Sequence, residues 1–220
     1  DFEVFLDPDG DTHAYYELEI NALGTEWDLF LARPYRDGGP AIHAWDIPGL
    51  RTAVSVDGTL NQPEDMDRGW SVEIAIPWAA LAEATEVPVP PRPGDRWRLN
   101  FSRVDWPVEI RDGKTVKRVD PGTGDTAAES NWVWSPQGVI AMHRPETWGL
   151  VMFSERVVGA EPVAFLPPDD LAARLALRRV YEAQRVYREE HGRYAEDVRE
   201  LGLDPEELPG WSWPPRIGTT

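Results

Sequence analysis

The stretch FEVFLDPDGDTHAYYELEIN, Phe2 to Asn21, holds two extended runs on either side of a turn. In its second half Tyr16, Leu18 and Ile20 alternate with Tyr15, Glu17 and Glu19, and a period of two places the sets on opposite faces of a strand. Between the runs Pro8 presets φ, Asp9 caps locally and Gly10 supplies a positive φ, which together read as a hairpin turn. The same segment spaces Asp7, Asp9 and Asp11 at alternate positions, as in loops that present carboxylates to a hard divalent cation such as calcium. EF-hand spacing is excluded, because counting from Asp7 the fourth residue is Gly10 and the twelfth is Leu18. A plain turn and a cation loop both remain open for Asp7–Asp11.

The alternation continues outward. In WSVEIAIPW, Trp70, Val72, Ile74 and Ile76 alternate with smaller or polar residues, and in RWRLNFSRV, Trp97, Leu99 and Phe101 do the same. FEVFLD, TEWDLFLA, RTAVSVDG and WGLVMFS add strand candidates, with Gly24, Gly58 and Gly94 as turn punctuation. Eleven tryptophans beside 21 prolines and 18 glycines fit many short strands joined by turns. Pro77 ends one strand, and WAALAEA after it reads as a turn or two of helix. Three long irregular segments, 33–49, 105–130 and 136–147, carry Tyr35, Trp45 and Trp106 and are expected to hold function or motion. Trp70, Trp78, Trp97 and Trp148 read as core, whereas Trp132 and Trp134 share one face if NWVW is extended, with one of them in the core.

After Phe153 the character changes. EPVAFLPPDD is a proline-rich linker, and Asp169 or Asp170 caps a helix whose stripe is Ala173, Leu177, Val180, Gln184 and Tyr187 and whose stop is Gly192. YAEDVRELG reads as a second short helix and LPGWSWPPRIGTT as a tail. Two regions follow: a mostly β domain over 1–158, and a linker with helical extension over 159–220.

The net charge of −17 repels phosphate backbones and anionic lipid, so nucleic acid is not an expected partner and neutral or cationic ligands fit better. No apolar run approaches the ~20 residues of a membrane-spanning helix, so no membrane insertion is expected. Zero cysteines exclude disulfides and thiolate chemistry. The first residue is Asp1 rather than Met, within a strand-like run, and an N-terminal piece ahead of it is expected.

FEVFLDPDGDTHAYYELEIN, GWSVEIAIPWAAL, GDRWRLNFSRVDW, NWVWSPQG and HRPETWGLVMFS, in this order and spacing, resemble the family 9 carbohydrate-binding modules across residues 1 to about 155. The resemblance implies an antiparallel β-sandwich of two sheets, immunoglobulin- or jelly-roll-like, here with the C-terminal α-helical appendage. It implies an exported bacterial module that binds oligosaccharide or polysaccharide without cleaving it, beside polysaccharide-degrading or glycan-sensing domains. It implies that a first third of the domain lies ahead of Asp1, and that calcium supports the fold, with Asp7, Asp9 and Asp11 as its ligands. Family members clamp sugar between two tryptophans ringed by carboxylate, Arg and Asn. Glu3 falls on the rim carboxylate, and Glu19 falls where a sugar-binding member has Arg. Met142 and His143 stand where the second tryptophan is due, so Trp45, Trp106 or Trp134 is expected to substitute.

The chemistry agrees with aromatics and acids in that role, since a pyranose stacks its C–H face on an indole while carboxylates bond its hydroxyls. Two alternatives stay open. One is haem held by Met142 or His143, although adjacent strand residues point to opposite faces and cannot both reach one iron. The other is glycoside hydrolysis by Glu17 and Glu19, about 6.6 Å apart on one strand face by pleat geometry.

Overall fold

A computed structural model describes residues 1–62 and 65–203; the tail LPGWSWPPRIGTT lies outside the described residues. The chain divides into two compact units, Asp1–Val163 and Ala164–Thr220, with the division inside the proline-rich linker. The fold is mostly β and antiparallel, with a single C-terminal α-helix among the described residues.

In the first unit the opening hairpin forms as its alternation requires. Strand β1 (Phe2–Asp7) pairs with β2 (Tyr15–Ile20), which pairs with β3 (Glu26–Leu31), which pairs with the short β4 (Ala41–Ile42). Two further strands, β5 (Arg51–Asp57) and β6 (Gly69–Ala75), form a separate hairpin. The long β7 (Arg96–Asp105) lies against the other side of β1. Its free edge takes two partners in series, β10 (Ser130–Val133) along its C-terminal half and β11 (Gly149–Met152) along its N-terminal half. The remaining strands, β8 (Val108–Arg111) and β9 (Lys114–Lys117), pair only with each other.

One face of the large sheet buries Val4, Leu6, Tyr16, Leu18 and Trp97 against Leu81, with Ile74 and Ile76 packed alongside. Removing such apolar area from water is the main source of stability, at about 25 cal/mol per Å². This layer is not filled throughout. A cleft of about 450 Å³ opens between the sheet and β6, lined by Phe2, Val72, Ile74, Trp78, Trp97 and Phe153 among others. Trp78, expected in the core, is therefore 45% exposed, whereas Trp97 and Trp148 are buried.

The opposite face is covered too, which the alternation did not foretell. Tyr15 and Phe5 are fully buried there with Leu29, Leu31 and Trp148. The cover is the segment 135–148. Trp148 sets its ring edge-on to Tyr15, centroids 5.0 Å apart, and tilted on Phe5 at 5.2 Å, while its Nε1 donates to the Met142 carbonyl at 2.9 Å. Arg98, reaching from β7, donates to the carbonyls of Glu146 and Trp148, and Arg36 grips Glu146 with two bonds of 2.7 and 2.5 Å. Bidentate guanidinium–carboxylate pairs of this kind fix geometry as well as adding energy.

The long segments are less irregular than their composition suggests. Segment 33–49 contains a 3₁₀ turn at Tyr35–Asp37 and β4; segment 105–130 contains the β8–β9 hairpin; WAALAEA is a 3₁₀ helix, Trp78–Ala82. The hairpin signal is Asp112-Gly113, both at positive φ (53° and 71°) as a primed turn requires. Trp132 and Trp134 do share a face, but neither is core, being 69% and 51% exposed.

In the second unit, α1 spans Leu171–His191 and stops at Gly192, whose φ of 71° is the left-handed cap position. Leu177 of the expected stripe is 56% exposed. The second expected helix is one 3₁₀ turn, Val198–Leu201, with Asp197 and Glu200 forming a capping box. It docks on α1 through a two-way amide pair, Gln184 with the Ala195 backbone, at 2.8 and 3.0 Å.

Replacing Trp148 by Ala is expected to cost about 3–5 kcal/mol in urea unfolding, as for other large-to-small changes in a packed core. Trp132→Ala, on the exposed side of β10, is expected to stay within about 0.5 kcal/mol. Equal effects would show that the cover over the second face is not closed as described.

Candidate functional site

Register brings the acidic residues of the covered face together. Glu3 on β1 lies directly beside Glu19 on β2 and, on its other side, beside Ser102 on β7; Glu19 in turn lies beside Trp27 on β3. One step along the strands Glu17 is flanked by Phe5 and Leu29. Directly opposed positions in a sheet stand about 4.5–5.5 Å apart, so the three carboxyls share one small area. Glu3 and Glu17 are 7% and 5% exposed.

Burial dominates the electrostatics. It pushes the Glu17 carboxyl up to about 9, with Glu19 and then Glu3 adding like-charge repulsion. Glu19 rises to about 6 by burial and by the charge of Glu3, eased by the amino group of Asp1. Glu3 is also raised by burial, while Ser102 and that amino group pull it back. Ser102 stands beside Glu3, yet the geometry falls short of a hydrogen bond. Glu3 Oε2, Ser102 Oγ and Asn131 Oδ1 are buried without a hydrogen-bond partner. Such atoms are rare in folded proteins and call for an explanation such as a ligand or water.

His143 completes the area from the covering segment. Its Nδ1 meets the Tyr15 hydroxyl at 2.9 Å, its Nε2 faces Glu17 Oε2 at 3.8 Å, and its ring lies edge-on to Tyr35 at 4.5 Å. Burial lowers the imidazole to about 4 while raising Glu17, so near neutral pH the pair is an uncharged imidazole facing a protonated carboxyl rather than an ion pair. Two half-exposed aromatics border this face. Trp27, 48% exposed, stacks on His43 at 5.5 Å, and Tyr35, 51% exposed, has its hydroxyl pKa raised first by burial and then by Glu17 and Glu19 nearby.

Of the residues singled out in the sequence, Glu3, Glu19 and His143 meet here. Met142 packs against the apolar cluster of Phe5, Tyr15, Leu29, Leu31 and Trp148. The segment is not a strand, so the argument that the two must face apart does not hold. Trp45 lies on the other face, stacked among Tyr16 and Phe30 with Nε1 bonded to Glu83. Trp134 is on that other face too, its ring against Phe101 and over Gly149. Trp106 carries Lys117 Nζ over its ring, 3.2 Å from the centroid, which occupies a face that a sugar would need. Tyr35 was named only as an aromatic of a long loop, and Trp27 was not singled out; the signal for Trp27 was its place in the alternation of EWDLFL, one strand away from Glu19.

At the far end of the same face Asp7, Asp9 and Asp11 present carboxylate oxygens that all lie within 4.8 Å of one another. The turn and the cluster coexist. Asp7 accepts from the Gly10 and Thr12 amides at 2.9 and 3.0 Å, Asp9 from Asp11, and Asp11 from His13 at 2.7 Å. Asp7 is fully buried, and burial with the charges of Asp9 and Asp11 pushes it up to about 8. An all-oxygen donor set holding repelling carboxylates fits a hard divalent cation.

Folded Glu17 binds its proton up to about 9 against an ordinary 4.5, so between those values the native state holds more protons and stability falls as pH rises. His143 acts in the opposite sense only between about 4 and 6.5. From about pH 6.5 to 8.5 Glu17 is expected to cost about 2.5 kcal/mol, at ~1.4 kcal/mol per pH unit for one linked proton. Glu17→Gln is expected to flatten the urea-unfolding profile by one proton over that range; an unchanged slope would show Glu17 ionised in the fold.

Compared with protein-family models, with curated proteins and with solved structures, the chain matches none.

Proposed function

We propose that the Glu3–Glu17–Glu19 face binds carbohydrate without cleaving it, as a module of an exported protein that degrades or senses polysaccharide. The observation that carries the reading is the juxtaposition of two half-exposed aromatic rings, Trp27 and Tyr35, with buried polar atoms that have no protein partner. A pyranose needs both, an apolar surface for its C–H face and fixed acceptors for its hydroxyls. Trp27 and Tyr35 take the role that the sequence resemblance assigned to loop tryptophans. The test is calorimetric titration with a panel of oligosaccharides. Trp27→Ala and Tyr35→Ala are each expected to weaken binding at least about fivefold, near 1 kcal/mol, while Trp45→Ala changes affinity only if it unfolds the core. No binding across the panel would overturn the reading.

Calcium belongs to the same proposal, held by Asp7, Asp9 and Asp11 and tying the β1–β2 connection to the Thr85–Glu86 segment that Asp9 contacts. Calcium at a hundredfold over its dissociation constant is expected to add about 2.7 kcal/mol of stability. Asp11→Asn, at an exposed position, is expected to remove most of that gain. A melting temperature indifferent to calcium and chelator would leave the segment a turn.

A second reading, glycoside hydrolysis, is favoured by one observation: Glu17 and Glu19 share a strand face but are raised to about 9 and about 6, a separation that suits one acid and one base. It requires reducing sugar to be released from a polymer, and release to be abolished by Glu17→Gln.

A further inference from the structure

Resting on the carbohydrate reading, we infer that the ligand carries a positive charge beside its ring, the chemistry of a glucosamine-type amino sugar. The first ground is the placement of charge. Glu3 and Glu19 adjoin on this face, and the cations that β7 turns to it, Arg96 and Arg98, stand at the Asp7 end, where Arg98 serves the carbonyls of Glu146 and Trp148. Arg36, on the neighbouring turn, grips Glu146. The Asp1 amino group donates to the Val104 carbonyl. None of these bridges Glu3 and Glu19 in a salt bridge.

The second ground is independent of charge. On the adjacent strands β1, β7 and β10, the atoms Glu3 Oε2, Ser102 Oγ and Asn131 Oδ1 lie buried without partners, although Glu3 and Ser102 are 93% and 99% removed from solvent. Two of the three accept only, and the third can accept. A sugar hydroxyl brings one hydrogen to such a site, whereas an ammonium brings three and accepts none. The aromatic rings agree, because a cation placed over an indole or phenol face is attracted by the ring quadrupole. A neutral sugar would leave the Glu3–Glu19 repulsion in place; an ammonium between them relieves it and brings hydrogens to Glu3 Oε2.

The experiment is calorimetric titration of the full chain at about pH 6.5 with four probes: a glucosamine tetramer, its N-acetylated counterpart, cellotetraose and spermine. The glucosamine tetramer is expected to bind at least roughly tenfold tighter than the two neutral oligosaccharides, with spermine weaker still for want of a ring to stack. Glu3→Gln is expected to remove the preference, bringing the glucosamine tetramer to the same affinity as the neutral tetramers. Glu19→Gln, at a partly exposed position, gives the same readout if Glu3→Gln does not fold. Equal affinity for the charged and neutral tetramers would overturn this inference and leave carbohydrate binding standing. Spermine matching the glucosamine tetramer would overturn it as well, since charge alone would then explain binding. Silence from every oligosaccharide would overturn both this inference and the function it rests on.

Discussion

The seat of Trp148 on Tyr15 and Phe5 is the contact on which the second face of the sheet depends. An antiparallel sheet can leave one face to water, and the acidic side of β2 has the composition of such a face. Here a segment with little regular structure is folded over it instead, pinned by the Trp148 indole, by Arg98 and by the Arg36–Glu146 fork. Closing that cover removes Asp7 and Glu17 from solvent almost completely.

Burying acids without counter-ions has a cost that the molecule meets by protonation rather than pairing. Glu17 and His143 face each other as neutral groups, although an ion pair would carry the same total charge. Ionised pairs in a poorly solvated site lose more hydration than a single 3.8 Å approach returns, so the proton stays on the carboxyl. The Asp7 end has the same character, with the difference that its three carboxylates converge on a common point. The Glu3–Glu19 row and the Asp7 row lie on either side of the row that holds Phe5 and Glu17.

The proposed function rests on this tension. Under that proposal, a face with buried, unsatisfied polar atoms and half-exposed bordering rings serves a guest more than stability. Aromatic borders suit a sugar ring, and acceptors in excess of donors suit a guest rich in hydrogens to give. The apolar cleft on the other side of the sheet, by contrast, is walled by hydrocarbon and borders the core.

Much of the architecture was legible from period alone. YYELEI, WSVEIA and RWRLNFSRV alternate so strictly that their faces follow without further information, and Gly192 ends α1 because a left-handed residue is needed there. The β8–β9 hairpin was legible in Asp112-Gly113 but lost in a segment that looked like loop. Glu3 and Glu19 could be named, yet nothing local set Trp27 rather than Trp45 or Trp134 beside them. That choice belongs to register between strands distant in sequence, where a shift of one residue moves every side chain to the other face. Alternation is a property of the backbone and is written in each strand; which face is then covered, and by which loop, depends on contacts such as Trp148 on Tyr15, which span most of the chain and exist only once it has folded.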